Sequence, residues 1–144
     1  MSVARFDLPS TDIETQPFWD ALKDGKFLIR HCNDCGCDHF YPRPFCPSCW
    51  GDAVVWKEAS GRGTLYTYSV VHVNDLPPFN ERVPYVAAIV ELEEGPRVMT
   101  NIEGVPFDEL RADLPVVVEF KAISDDVTIP VFRRNSVDRY RHAP

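Results

Sequence analysis

The chain has 144 residues, with 15 lysines and arginines against 22 aspartates and glutamates, a formal charge of −7. That length suits one compact domain or two small ones, and 44% apolar residues with 12% aromatics exclude global disorder. The acidic balance argues against nucleic acid as the main partner, because phosphate neutralisation needs a basic excess, and thirteen prolines against seven glycines argue against long helices.

The opening ten residues have no apolar run, so no secretory signal is read there. The longest apolar stretch, residues 83–90, contains Pro84 and falls far short of the roughly 20 residues of a bilayer helix. The expectation is a cytoplasmic protein, in which five cysteines indicate metal or thiol chemistry before disulfides.

Residues 1–25 are an arm followed by a helix. Thr11-Asp12-Ile13-Glu14 has capping-box spacing. A second start stands at Thr15-Gln16-Pro17, proline being favoured in a first helical turn. Phe18, Trp19 and Leu22 then make one apolar stripe, and Gly25 is a natural stop. So short a helix is unstable alone, and its stripe must dock on something. It serves either the chain's own core or another subunit.

Residues 26–60 hold all five cysteines between two strands, 26–31 and 54–57. Cys32-Asn-Asp-Cys35 and Cys46-Pro-Ser-Cys49 are two C-x2-C pairs, and facing knuckles of that kind close a tetrahedron of sulfurs about 2.3 Å from a zinc ion. Four thiolates leave no open position, so the metal is structural; iron in a rubredoxin-like site would use the same sulfurs. Gly36 suits the turn after the first pair. Cys37 is read as a spare thiol, since no base forms a recognisable dyad with it. His31 and His39 are read as surface residues.

Residues 61–133 are all-β. Strands are expected at 64–73, 85–93, 97–102, 115–122 and 127–132, with a proline-rich connection at 74–83 and a turn of helix at 107–110. Five strands with a wide excursion among them suit a five-stranded OB-fold barrel, with a small β-sandwich as the alternative. His72 is placed in the first of these strands. Tyr66, Tyr68 and Tyr85 are packing residues, or a stacking platform for bases. Glu91, Glu93 and Glu94 form a solvated turn, and Gly61-Arg-Gly63 is a hinge between the halves. No phosphate-loop or dinucleotide motif is present. Residues 134–144 are a basic tail that also draws in Arg133.

The ordered set Pro17-Phe18-Trp19-Asp20-Ala21-Leu22, Cys32-Asn-Asp-Cys35-Gly36, Tyr41-Pro-Arg-Pro-Phe-Cys46-Pro-Ser-Cys49, Gly63-Thr-Leu-Tyr-Thr-Tyr-Ser-Val-Val-His72 and Pro84-Tyr85 to Leu92 with Glu94-Gly95-Pro96-Arg97 resembles a family of small proteins. In these a rubredoxin-like zinc ribbon precedes an acyl-CoA-associated OB-fold. Cys37 is an addition to that pattern. The resemblance implies an accessory subunit of a thiolase-like acyl-CoA enzyme of aldol or Claisen type, with the catalytic groups on the partner. It implies structural zinc on Cys32, Cys35, Cys46 and Cys49. Phe18, Trp19 and Leu22 are the candidate partner anchors, and Arg43, Arg62 and Arg97 the candidate cations for acyl-CoA. The competing functions are a nucleic-acid-binding module and a rubredoxin-like electron carrier.

Overall fold

The computed structural model describes residues 5–136. One α-helix, α1 (Gln16–Lys23), precedes a three-stranded antiparallel sheet. Its strands β1 (Leu28–Cys32), β2 (Asp38–His39) and β3 (Val54–Glu58) lie in the order β2-β1-β3. A closed barrel follows, built from β4 (Arg62–Val71), β5 (Tyr85–Leu92), β6 (Arg97–Ile102), β7 (Pro115–Ala122) and β8 (Thr128–Arg134) in the order β4-β5-β6-β8-β7. This five-stranded closed barrel is the OB-fold expected from the sequence, and the sandwich alternative falls away.

The helix begins at the second of the two candidate starts. The Asp12 carboxylate accepts from the Thr15 backbone N–H at 2.8 Å and from its hydroxyl at 2.9 Å, so Asp12 shapes the turn before the helix rather than capping it. At the other end Gly25 has φ +74°. There the Gly25 N–H donates to the Leu22 carbonyl and the Lys26 N–H to that of Ala21. The chain can turn back there because glycine adopts the left-handed region without a Cβ clash.

Strand β5 alternates half-buried and buried residues, with Val86, Ala88, Val90 and Leu92 turned inward, the period-2 pattern of a strand with one face on a core. Closure requires close approach at the hinge. A Cβ on Gly63 would lie 2.4 Å from the Glu91 carbonyl oxygen, and one on Gly61 would lie 2.5 Å from Val118 Cγ1. Both positions therefore demand glycine where β4 leaves the ribbon and meets β5 and β7. The β6–β8 seam is thin, a parallel bridge between Ile102 and Phe132.

One hydrophobic cluster runs through helix, ribbon and barrel, joining Phe18, Leu22, Phe27 and Ile29 to Leu65, Val90, Val116 and Phe132. Phe18 lies 5.9 Å from Phe27, and Phe27 lies 6.3 Å from Phe132, both edge-on. Burying each such ring is worth about 1.5–3 kcal/mol.

Two expectations are corrected. Strand β4 ends at Val71, so His72 is exposed just beyond it rather than within the sheet. Strand β8 runs on to Arg134, where Arg133 reaches Glu119 at 3.6 Å and Arg134 reaches Glu109 at 3.5 Å. Those two arginines belong to the barrel wall because β7 continues to pair with them, Val117 with Arg133 and Val116 with Arg134. The remainder of the basic tail, with Arg139, Arg141 and His142, lies outside the described residues.

Candidate metal centre

Cys32 ends β1, and Cys35 follows it across a tight turn; Cys46 and Cys49 repeat that arrangement in the next loop. The backbone bonding is the same in both. The Gly36 N–H donates to the Cys32 carbonyl and the Cys32 N–H to that of Cys37, at 2.8 and 2.9 Å; the Trp50 N–H donates to the Cys46 carbonyl and the Cys46 N–H to that of Gly51, both at 2.8 Å. The two knuckles are thus local copies, in which Trp50 answers to Gly36 and Gly51 to Cys37. Both corner residues have positive φ, 77° at Gly36 and 65° at Trp50.

The four sulfurs all lie within 4.8 Å of one another. Cys32 Sγ is 3.6 Å from Cys49 Sγ, and Cys35 Sγ is 3.5 Å from Cys46 Sγ. A tetrahedron with metal–sulfur bonds of about 2.3 Å needs sulfur–sulfur edges of about 3.8 Å, so the cluster has the dimensions of a four-thiolate site. Cys32 and Cys46 are buried while Cys35 and Cys49 are exposed.

Backbone N–H groups prepare the sulfurs for negative charge. The N–H groups of Cys49 and Ser48 pull the Cys46 thiol down to about 6, and that of Ser48 lies 3.4 Å from the sulfur. The Cys37 N–H acts in the same sense on Cys35, but contact with the Cys46 sulfur and burial outweigh it and the thiol is pushed up. Cys49 likewise has the Gly51 N–H lowering it, opposed by the Cys32 sulfur, and ends raised. Two thiols held up by their sulfur neighbours beside one drawn down by N–H donors, all at this spacing, fit a structural metal. All four positions of such an ion would be filled by sulfur.

The other residues singled out in the sequence fall into place individually. Cys37 is exposed, and among the described residues no base bonds to its thiol. Its place answers to Gly51 in the other knuckle, which explains why a fifth cysteine there is not a ligand. His31 is half-buried and holds Asp38 at 2.6 Å, with Lys57 on the other carboxylate oxygen at 2.7 Å. His39, read as a surface residue, is buried instead, with neither ring nitrogen hydrogen-bonded. Burial pushes its pKa down.

The expected partner anchor is corrected in part. Phe18 and Leu22 are each 1% exposed, inside the chain's own core, because the helix stripe docks on Phe27 and the barrel. Only Trp19 of that stripe is partly exposed. Two of the candidate arginines flank the same end of β5, and the third stands apart on the ribbon loop. Arg62 pairs with Glu93 at 3.0 Å and Arg97 with Glu91 at 3.5 Å, while Arg43 sits on the ribbon loop, 6.0 Å over the Phe45 ring. Arg97 also lies 3.9 Å over the Tyr66 ring. The Tyr68 hydroxyl donates to the Leu110 carbonyl, which is packing rather than a stacking platform. Glu94 takes the Ser60 N–H.

Trp50 escaped the sequence reading. It is 75% exposed and stacks on Phe45 at 5.5 Å and 12°. The available signal was its offset: it stands four residues after Cys46, as Gly36 stands four after Cys32.

Comparison with known proteins agrees with this architecture. The family model described as "ChsH2, rubredoxin-like zinc ribbon domain" matches residues 19–55, and "ChsH2, C-terminal OB-fold domain" matches residues 56–121. A probable enoyl-CoA hydratase alpha subunit of Thermomonospora curvata is 38% identical over 81% of this chain and 36% of its own length. A DUF35 domain-containing scaffold protein of Methanocaldococcus jannaschii is 36% identical over 75% of this chain and 77% of its own. The benzoylsuccinyl-CoA thiolase subunit BbsA of Thauera aromatica is 30% identical over 66% and 63%. The chain thus spans about a third of the hydratase subunit but most of the scaffold protein. Among solved structures, a chain of the Ltp2-ChsH2(DUF35) aldolase superposes with a TM-score of 0.79 at 34% identity, covering 88% of this chain and 98% of that one.

Proposed function

Since the chain belongs to the DUF35 family, with a ChsH2-type zinc ribbon ahead of an OB-fold, we propose that it is a non-catalytic subunit of a thiolase-like acyl-CoA enzyme. Its role is to support assembly and the acyl-CoA site, while the partner makes and breaks the carbon–carbon bond. The observation that carries this reading is the match along nearly the whole of a DUF35 chain from an aldolase complex. The chain's own chemistry is consistent with it: the four clustered sulfurs leave a metal no open position, and among the described residues no base bonds to Cys37.

In this reading Cys32, Cys35, Cys46 and Cys49 hold zinc. The ion closes the ribbon and so fixes the loop bearing Arg43, Phe45 and Trp50. A bulky exposed aromatic in the left-handed region costs about 1–2 kcal/mol, which points to a surface kept for contact. This loop is the side we assign to the partner, and half-buried Trp19 is what the helix stripe still offers. Arg43, Arg62 and Arg97 remain the cations to test against CoA phosphates, although Arg62 and Arg97 would first have to leave Glu93 and Glu91.

The test is co-expression with the thiolase-like protein of the same host. The proposal predicts a stable complex that co-purifies and loses this subunit when Trp50 is changed to Ser. A chain that stays alone beside a fully active enzyme would refute it. The nucleic-acid alternative gains nothing specific from the site, since Arg133 and Arg134 are paired in the barrel wall.

A further inference from the structure

At one mouth of the barrel lies an open cavity of about 410 Å³, within the range of small-molecule sites, about 300–1,000 Å³. It is walled by the β4–β5 connection, the end of β6 and the β7–β8 hairpin. Loops at these places are where OB-folds take their ligands. Its lining is part aromatic (Phe79, Tyr85, Phe107), part aliphatic (Ile129, Val131), with Arg82 among the polar residues.

Two polar features give the cavity a chemical preference. The Tyr85 hydroxyl accepts from Asn74 Nδ2 at 3.0 Å, which leaves the phenolic proton free to be donated. At the rim, the N-terminal arm is tied to residues on two sides of the mouth. Arg5 Nη2 donates to the Ile123 carbonyl at 2.7 Å, and Asp7 takes Arg82 at 3.0 Å. Asp7 also takes Arg5, through both carboxylate oxygens at 2.7 and 3.0 Å. Its side chain is 3% exposed. Two guanidiniums therefore share one carboxylate, and one positive charge at the rim has no counter-charge in this cluster. The other cation of the lining, Lys121, is matched by Glu103 at 2.6 Å.

We propose that this cavity binds a small aromatic or alicyclic monocarboxylate. The ring lies among Phe79, Tyr85 and Phe107, and the carboxylate meets the Arg5–Arg82 pair, where Asp7 already stands as a built-in competitor. A nucleic acid strand is a poorer occupant, because a single uncompensated charge in one concave pocket does not track a repeating phosphate backbone. The site is independent of the partner assignment and is read on this chain alone.

The test is titration of the metal-loaded full chain with 2-naphthoate, followed by amide shifts, beside the neutral isostere naphthalene-2-methanol. Binding is expected at one site, with shifts centred on Tyr85, Gly104 and Ile123, and about tenfold weaker for the alcohol. Arg82→Gln should weaken naphthoate binding about tenfold without affecting the alcohol. Asp7→Asn should tighten it by at least about twofold, a gain that a purely structural arm would not produce. No binding, shifts centred elsewhere, or equal affinity for acid and alcohol would overturn the proposal. The wild-type titration decides the matter even if a variant fails to fold.

Discussion

Phe27, which leads into β1 of the ribbon, stands edge-on to Phe132 of the last barrel strand, with ring centres 6.3 Å apart and planes at 86°. This contact, with Phe18 behind it, gives ribbon and barrel a common core. A metal-folded segment joined in this way transmits its order to the barrel. Phe27→Ala should cost about 3–5 kcal/mol. It should also split a single urea transition into separate ribbon and barrel transitions, followed by tryptophan fluorescence for the ribbon and helix and by backbone dichroism for the barrel.

Loss of the metal should be similarly far-reaching. A four-thiolate zinc contributes on the order of 10 kcal/mol to the folding of its segment. Elemental analysis of Cys46→Ser is expected to show loss of the ion, with a fall in thermal midpoint. Cys37→Ser should keep one ion per chain and the wild-type midpoint, because the equivalent place in the other knuckle is a glycine. Loss of metal from Cys37→Ser would show that the fifth thiol is a ligand.

The knuckle corners permit a comparison within one molecule. Trp50→Gly relieves the left-handed backbone, worth about 1–2 kcal/mol, but forfeits the Phe45 stack, worth about 0.5–1.5 kcal/mol. Stability should change by no more than about 1 kcal/mol, while retention by the partner on an affinity column falls. The reverse change, Gly36→Trp, puts left-handed strain where glycine has none and should be the more destabilising of the two in a thermal melt.

Acidity should act on the arm through Asp7. Hydrogen bonding from Arg5, reinforced by Arg82, lowers its carboxyl from the ordinary 3.8 to about 2. The folded pKa is depressed, so the stabilisation is fully present above the ordinary value and is lost as pH falls from about 4 through about 2. Carboxyl NMR should find Asp7 titrating near 2, and moving up towards 3.8 in Arg5→Gln. An unshifted Asp7 would mean that the arm is not held at the barrel rim in solution.

The metal centre and barrel were legible because both are written in local patterns: C-x2-C spacing for the knuckles, and alternation such as that of Val86, Ala88, Val90 and Leu92 for the strands. The fate of the Phe18–Leu22 stripe was not, since periodicity shows that a face must be buried but not against what. Strand β2 has two residues and owes its existence to pairing with β1, a tertiary effect without a sequence period. The Arg5–Asp7–Arg82 cluster joins positions 75 residues apart, so no motif announces it. Trp50 defied the rule that glycine fills left-handed corners, and only the structure reveals that rule broken.

The central claim is that this chain acts by completing an enzyme rather than by being one. The most direct measurement is the turnover of the purified thiolase-like partner as the metal-loaded chain is titrated in. The account predicts activity that rises to a plateau at a fixed subunit ratio, with none from the chain alone. Full partner activity at zero added chain, or turnover by the chain by itself, would contradict it.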